Sequence, residues 1–91
     1  MTERPAYEVI FTPRAVRELE RLPPLDVARL RRPILMLAFD QRPTGSARIV
    51  GTDLWRIRAG ETRVIYHVDD DHRQVVIARV ARRSERTYRG L

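Results

Sequence analysis

The sequence predicts an α+β fold, in which two helices pack on one face of a small, twisted, mostly antiparallel sheet. Three observations predict this class: a β-rich segment opens the chain, two helical segments follow it, and three alternating segments come later. Helices and strands that are grouped along the chain are typical of this class. With 91 residues, of which 43% are hydrophobic, the chain is expected to form one domain over residues 1–91.

The first strand and the first helix are predicted near the start of the chain. The segment Tyr7–Phe11 is β-rich and alternates roughly, which predicts a strand. A helix is expected next, because Thr12 is a favourable N-cap and Pro13 is favoured at a first helical position. Its apolar residues recur at helical spacing and its charged residues lie mostly elsewhere: Val16, Leu19 and Leu22 against Arg14, Arg17, Glu18, Glu20 and Arg21.

A second helix is predicted from about Pro24 to Phe39, because Pro23 and Pro24 end the first one. Together the two helices form a hairpin. Pro33 removes a hydrogen bond inside the second helix, so a kink or a split is expected there. The segment after it, residues 40–53, contains Pro43, Gly45 and Gly51 and is predicted to be a loop. The apolar set of the second helix is Leu25, Val27, Leu30, Ile34, Leu37 and Ala38.

Three alternating segments predict an antiparallel meander. Gly60 and Glu61 form its first turn, and the acidic stretch Asp69–His72 forms its second. An arginine-rich tail, residues 82–91, follows the last strand. The predicted strands are Leu54–Ala59, Thr62–Val68 and Gln74–Ala81.

The charge balance predicts a polyanionic partner. All 18 basic residues are arginine, and with 12 acidic residues the net charge is +6. The guanidinium group is always charged and is suited to bidentate phosphate contact. A basic small domain therefore favours nucleic acid or an acidic protein as partner. A GC-rich genome is an equally good explanation for the choice of arginine over lysine.

Several classes of site are disfavoured. The chain has no cysteine, which fits a reducing cytoplasm. No segment approaches the roughly 20 apolar residues of a membrane span, so a cytoplasmic protein with no membrane partner is expected. The turn Asp69–His72 is expected to be a solvated hairpin tip and not a metal site. No glycine-rich phosphate loop occurs, so no cofactor is expected.

Alternation along the predicted strands places arginines on one face of the sheet. Arg56 and Arg58 share one face of their strand, and Arg63 shares a face with Ile65 and His67 on the next strand. These arginines are expected to point away from the helices, because the opposite face is the better core: Trp55, Ile57, Val64, Tyr66 and Val68. The outer face of an antiparallel sheet is usually simply solvated. Three like charges in proximity repel, however, which favours a bound anion.

The run Leu54–Tyr66 (LWRIRAGETRVIY) resembles the RelE/ParE toxin superfamily of type II toxin–antitoxin systems. The likeness extends to the preceding Gly51–Asp53, to the later apolar strand, and to the Arg82-Arg83 pair with Tyr88. The opening strand, the stretch Thr12–Ala15 and the helical hairpin are also similar to this superfamily. The resemblance covers nearly the whole chain, and it implies a RelE-like fold.

The RelE branch implies a ribosome-dependent endoribonuclease that cuts mRNA in the ribosomal A site. The implied reaction is attack of a 2′-hydroxyl on the adjacent phosphate. By motif, the resemblance assigns the catalytic positions to Arg56, Arg58, Arg63, Arg83 and Tyr88. Relatives often carry lysine at such a position, and its absence here allows for weak activity. Arginine is a poor general base, so the base stays open. His67 is a candidate base, although a histidine in a strand is more often structural.

The resemblance also implies partners: a small, partly disordered cognate antitoxin, mRNA and the ribosome. Two alternatives remain. A ParE-like protein would bind DNA gyrase instead, but that branch generally lacks the basic residues and the tyrosine. A non-catalytic RNA-binding module would need exposed aromatic residues, whereas Trp55 and Tyr66 are expected to face the core. Further arginines are candidates for RNA contact: Arg14, Arg17, Arg21, Arg29, Arg32 and Arg82.

Overall fold

A computed structural model describes residues 6–82, which form a five-stranded sheet and two helices. The strand order is β1-β5-β4-β3-β2; β1 is parallel to β5, and all other neighbours are antiparallel. The predicted α+β class and the three-stranded meander are confirmed. No helix within this part of the chain is long and apolar enough to cross a membrane. The elements are β1 Glu8–Phe11, α1 Pro13–Arg21, α2 Pro24–Met36, β2 Ala47–Arg48, β3 Trp55–Ala59, β4 Thr62–Asp69 and β5 Gln74–Arg82.

Helix α1 begins at the predicted residue. The side-chain oxygen of Thr12 accepts a hydrogen bond from the Ala15 amide at 3.1 Å, which caps the helix. Ala15 is fully buried, and Leu19 and Leu22 pack against the same core. The prediction that Val16 faces the core is wrong, since Val16 is 42% exposed. Ala15 matches the spacing of Leu19 and Leu22, and Val16 lies about 100° further round the helix.

Helix α2 is one helix, so the predicted split at Pro33 does not occur. Pro33 lacks the amide that would bond to the preceding turn, but Leu30 and Ile34 beside it are both buried. Their packing holds the helix together across the proline. The helix ends at Met36, before the predicted Phe39. Two residues of the predicted apolar set, Leu25 and Val27, are exposed.

The loop predicted between α2 and β3 contains a short edge strand, β2. Ala47 pairs with Arg56 and Arg48 with Trp55. Two residues are too few to show an alternating pattern, so this strand could not be predicted. The same loop is tied to the core, because the Tyr66 hydroxyl donates to the Gln41 carbonyl at 2.8 Å. Burial raises the pKa of Tyr66 to about 12.

The core lies between the helices and the inward face of the sheet, as the alternation predicts. Its strand residues include Ile57, Val64, Tyr66 and Val75, and Trp55 packs against them partly buried. One irregularity interrupts this pattern. The pairing of β4 with β5 shifts from Tyr66↔Ile77 to Ile65↔Arg79, so Ala78 is an extra residue in β5. Beyond this bulge Val80 faces the core, whereas Arg79 and Ala81 face away from the helices.

Helix α1 caps the edge of β5 beyond the end of β1. The Thr12 amide donates to the Ile77 carbonyl at 3.0 Å, and the Thr12 hydroxyl donates to the Ala78 carbonyl at 3.1 Å. The Glu18 carboxylate accepts from the Val80 amide at 2.9 Å. These contacts satisfy backbone groups that would otherwise form an open strand edge. They also fix α1 against the strand that carries Arg79.

Candidate functional site

Four arginines lie on the side of the sheet that faces away from the helices. We call this surface the arginine face and define it by Arg56, Arg58, Arg63 and Arg79. Three of these were placed on this side by the alternation of the sequence, and the structure agrees with that placement. The register sets them in two rows across β3, β4 and β5: Arg56–Ile65–Arg79 and Arg58–Arg63–Ala81. Ile65 therefore lies between two arginines, and Ala81 lies beside Arg63 at the end of its row.

Arg58 and Arg63 form the closest pair on the arginine face. They are directly opposite each other on β3 and β4. Side chains in such a pair start about 4.5–5.5 Å apart at their Cβ atoms, and like charges there destabilise the sheet. Arg56 follows about 7 Å away along β3. A phosphate group between these side chains would relieve the repulsion.

The arginine face has an apolar floor. Ile65 is fully buried and Ala81 is 2% exposed, although both lie on the side away from the helices. Arg56 and Arg79 flank Ile65 in the register. Arginine stems are suited to covering such a floor. The charged end of Arg79 is mostly buried against Glu18, so Arg56, Arg58 and Arg63 are the cations of this face that can meet an anion. An apolar floor beneath charged groups strengthens their attraction for an anion, because it lowers the local dielectric constant.

Arg79 was missed by the sequence analysis. Simple alternation places it with Val75 and Ile77 on the core face, and only the bulge at Ala78 turns it outward. Its guanidinium donates to the Glu18 carboxylate at 3.1 Å, and both side chains are mostly buried. An arginine in phase with core residues was the signal that a bulge had to lie nearby.

His67 shares the outward side of β4 with Arg63. It lies opposite Val76 on β5, four residues from Arg63 or about 13 Å along the strand. Arg56 is closer, since it pairs with Ile65, two residues from His67. The Nδ1 atom of His67 is 3.6 Å from the Asp53 carboxylate, and both side chains are accessible to solvent.

The other predicted RNA contacts are not on the arginine face. Arg82 ends β5 on the helix side and pairs with Asp26 of α2 at 3.5 Å. The arginines of the two helices are exposed on the opposite layer of the molecule, and Arg14 lies 3.8 Å from Glu18. Arg83 and Tyr88 lie outside the described residues. The exposed helical set is Arg14, Arg17, Arg21, Arg29 and Arg32.

A second surface lies on the helical side. An apolar groove of about 480 Å³ runs between β1, α1 and α2. At this groove Phe11 and Val27 are partly exposed and Leu35 is 53% exposed, with Arg31 in its lining. Exposed apolar concavities of this kind mark sites of protein interaction. The lining residues are Phe11, Leu19, Pro24, Val27, Ala28, Leu30, Arg31, Ile34 and Leu35.

Comparison with known proteins links this fold to toxins. A sequence model of the family described as the ParE toxin of type II toxin–antitoxin system, parDE, matches residues 9–87. Toxin RelG of Mycobacterium tuberculosis is 36% identical over 86 residues, which cover 87% of this chain and 93% of RelG. Both matches confirm the resemblance inferred from the run Leu54–Tyr66.

Two solved complexes contain chains of the same fold. The archaeal RelE–RelB complex from Pyrococcus horikoshii OT3 matches with a TM-score of 0.77 and 27% identity, covering 88% of this chain and 98% of the other. The toxin–antitoxin complex RelBE2 of M. tuberculosis matches with a TM-score of 0.65 and 33% identity, covering 86% and 99%. These likenesses confirm the predicted RelE-like fold.

Proposed function

The chain belongs to the RelE/ParE superfamily of toxins from type II toxin–antitoxin systems, and from this premise we propose that it is an endoribonuclease that cuts mRNA on the ribosome. The observation that carries the proposal is the arginine face. Arg58 and Arg63 stand opposite each other, and Arg56 is one step along the same strand as Arg58. Such a cluster fits the phosphates of an RNA backbone, because the guanidinium group is suited to bidentate phosphate contact.

The proposed reaction is attack of an RNA 2′-hydroxyl on the adjacent phosphate, which leaves a 2′,3′-cyclic phosphate. Its transition state carries extra negative charge on the phosphate oxygens. Fixed guanidinium donors stabilise that charge without reorganising, and losing one such donor typically costs about 10²–10³ in rate. We assign this role to Arg56, Arg58 and Arg63. Electrostatic stabilisation and orientation by the ribosome then supply most of the rate.

Two further residues of the proposed site follow the last strand in the sequence. Arg83 comes directly after Arg82, with which β5 ends. Its proposed role is a further phosphate contact. Tyr88 is proposed to stack against a base or to exchange a proton. The helical arginines predicted as RNA contacts, which do not include Arg31, are proposed to contact ribosomal RNA, in which case the association weakens steeply with added salt.

A cognate antitoxin is the proposed protein partner. The matched structures from P. horikoshii and M. tuberculosis are toxin–antitoxin complexes. We assign the antitoxin to the apolar groove, because Leu35 and Phe11 are exposed there and Arg31 adds positive charge. A segment with apolar residues on one face and acidic residues beside them would fit this groove and would fold as it binds.

Gyrase inhibition is the second candidate, since the matching family model carries the ParE description. A non-catalytic RNA-binding module is less well supported. Tyr66 is fully buried on the helix side, and Trp55 packs against the same core. Neither ring is available on the arginine face to stack with bases.

One experiment separates these functions. The chain is induced in a bacterial host, and an abundant message is mapped by primer extension, with translation active or blocked. The proposal predicts growth arrest with codon-spaced cuts that require translation. Growth arrest with intact messages and broken DNA would assign the chain to gyrase inhibition and would contradict the ribonuclease.

A further inference from the structure

We infer that Asp53 and His67 act as a pair, in which His67 accepts the proton of the attacking 2′-hydroxyl and Asp53 positions its ring. The inference deepens the proposed ribonuclease function and rests on it. The proposed reaction needs a group that accepts a proton, and the arginine face does not provide one. Arginine stays protonated in proteins, so Arg56, Arg58 and Arg63 can stabilise charge but cannot take up a proton.

Among the outward-facing residues of β3, β4 and β5, His67 is the best candidate for the general base. Within the described chain, Asp69 is the carboxylate on the outward side of these strands. A hydrogen bond from His72 lowers the pKa of Asp69, which makes it a weaker base and commits it to another partner. Histidine is the side chain whose ordinary pKa lies nearest to neutral pH. It is therefore the side chain best matched to proton transfer in the cell.

His67 also lies within reach of a phosphate held by the arginines. Arg56 pairs with Ile65, and His67 is two residues further along β4 on the same side. Such diagonal neighbours have backbones about 7–8 Å apart, a gap that long side chains span. The side chain of His67 is 40% exposed, so its ring is open to a substrate. An RNA phosphate bound at Arg56 would bring its neighbouring 2′-hydroxyl close to this ring.

Hydrogen bonds of the turn before β3 fix the backbone on both sides of Asp53. The Thr52 amide and hydroxyl both donate to the Ile49 carbonyl, at 3.1 and 2.9 Å. The Leu54 amide donates back to the Thr52 hydroxyl at 3.0 Å. Gly51 adopts the positive φ of 80° that this turn requires. Asp53 therefore projects from a turn that is braced on both sides.

The carboxylate of Asp53 faces the nitrogen of His67 that is not needed for catalysis. Its Oδ2 atom is 3.6 Å from Nδ1, a distance of ion-pair contact that exceeds a hydrogen bond. Contacts of this kind tighten when substrate binds. A carboxylate that accepts the Nδ1 proton leaves Nε2 unprotonated and fixes the ring orientation.

The step balances without a cofactor. The proton of the 2′-hydroxyl moves to Nε2 of His67 as the bond between the 2′-oxygen and phosphorus forms. The bond between phosphorus and the 5′-oxygen breaks, and this oxygen takes a proton from water. The imidazolium then returns its proton to the hydroxide so produced. Asp53 touches neither the RNA nor the reacting atoms, so it is a positioning residue.

The test compares single-turnover cleavage of ribosome-bound mRNA by the wild-type chain, His67→Ala, Asp53→Asn and the double variant. His72→Ala is the matched control, since His72 is also an exposed histidine paired with an aspartate. We expect His67→Ala to cut about 10²–10⁴ times more slowly, with the rate partly restored by added imidazole. We expect Asp53→Asn to slow cleavage about tenfold, but to have no further effect in the His67→Ala background. His72→Ala should cut at the wild-type rate.

Two results would overturn the pair. One is a wild-type rate in His67→Ala. The other is a loss of cleavage in His67→Ala that is matched by lost RNA binding and is not restored by imidazole. In both cases the wild-type chain still cuts RNA, so the ribonuclease proposal stands. A wild-type chain that fails to cut mRNA with or without ribosomes would overturn the ribonuclease proposal, and the pair with it.

Discussion

The two faces of strands β3 and β4 differ in charge, although inward and outward residues alternate along the same two strands. Ile57, Val64 and Tyr66 point to the helices and are buried. Arg58 and Arg63, each beside one of these residues in the sequence, point to the other side. The inward face holds the fold together, and the outward face concentrates positive charge. A neighbouring pair such as Arg63 and Val64 therefore separates the proposed site from the core.

Glu18 and Arg79 connect these two layers. Glu18 belongs to helix α1, yet it binds an arginine that faces outward and the backbone of β5 at the same time. The helix layer therefore supports an outward-facing charge as well as covering the core. Five predictions test this division, beginning with the largest expected effect.

Tyr66→Ala should unfold much of the population. Tyr66 is fully buried, so its truncation leaves a cavity and should lower the free energy of unfolding by about 3–5 kcal/mol. Urea denaturation followed by circular dichroism measures this loss. Any loss of toxicity should track the unfolded fraction. A stable Tyr66→Ala protein without toxicity would contradict the assignment of this face to structure alone.

Arg63→Ala should lower the rate of RNA cleavage and leave the stability of the fold nearly unchanged. We expect RNA cleavage to fall about 10²–10³-fold, because one donor to the phosphate is lost. The midpoint of urea unfolding should stay close to that of the wild-type chain. Val64→Ala is the matched control on the adjacent residue: it should destabilise the fold and leave the cleavage rate of the folded fraction unchanged. Growth arrest that persists in a folded Arg63→Ala protein would show that the site is misassigned.

Glu18→Ala should lower the stability of the fold and remove a contact that supports the outward-facing Arg79. It strips Arg79 of its ion pair and the Val80 amide of its acceptor, in a region that is mostly buried. We expect a loss of about 3 kcal/mol in unfolding free energy. Glu18→Gln keeps an acceptor for Val80, so it should recover part of that loss. Equal unfolding midpoints for wild type and Glu18→Ala would disprove the proposed link between the layers.

Leu35→Asp should weaken antitoxin binding and spare toxicity. Leu35 lines the apolar groove and is half exposed, so a carboxylate there would be costly to bury but harmless in the free toxin. We expect the dissociation constant for the antitoxin to rise about tenfold or more by calorimetry. Leu25→Asp, exposed on the same helix but outside the groove lining, is the control. Equal effects of both changes would argue against the groove.

The last prediction concerns alkaline pH. The pKa of Tyr66 is raised from 10.0 to about 12 in the folded chain, because burial disfavours the phenolate. The stabilisation is therefore complete below pH 10 and is lost as the pH rises from 10 to about 12. Stability measured across this range should fall in the wild-type chain and less in Tyr66→Phe. An identical alkaline fall in both proteins would exclude Tyr66 as its cause.

Period-two alternation explains how much of the site could be predicted. It assigned Arg56, Arg58 and Arg63 to the outward face, since antiparallel strands leave no freedom in which side a residue faces. It failed at Arg79, because one extra residue at Ala78 reverses the phase, and the only local sign of this bulge was an arginine in phase with Val75 and Ile77. It also gave no partner for β1, because the parallel pairing with β5 depends on the whole fold.

Helical periodicity predicted the buried helix residues less well than alternation predicted the faces of the strands. Val16 and Ala15 both fit a stripe with Leu19, and only packing against β5 shows which of them is buried. Pro33 was expected to kink or split α2; the split does not occur, and Leu30 and Ile34 are buried on either side of the proline. The predicted roles of Arg83 and Tyr88 rest on the sequence motif and remain predictions.

The most direct test of the arginine face as an RNA-cleaving site is a purified translation system with one defined message. Cleavage is measured for the wild-type chain, for Arg58→Ala, and for Arg31→Ala, which removes the same charge from the helical layer. We expect codon-spaced cuts by the wild-type chain and by Arg31→Ala, and a large loss of cleavage with Arg58→Ala. Equal cleavage by all three proteins, or none by the wild-type chain, would contradict it.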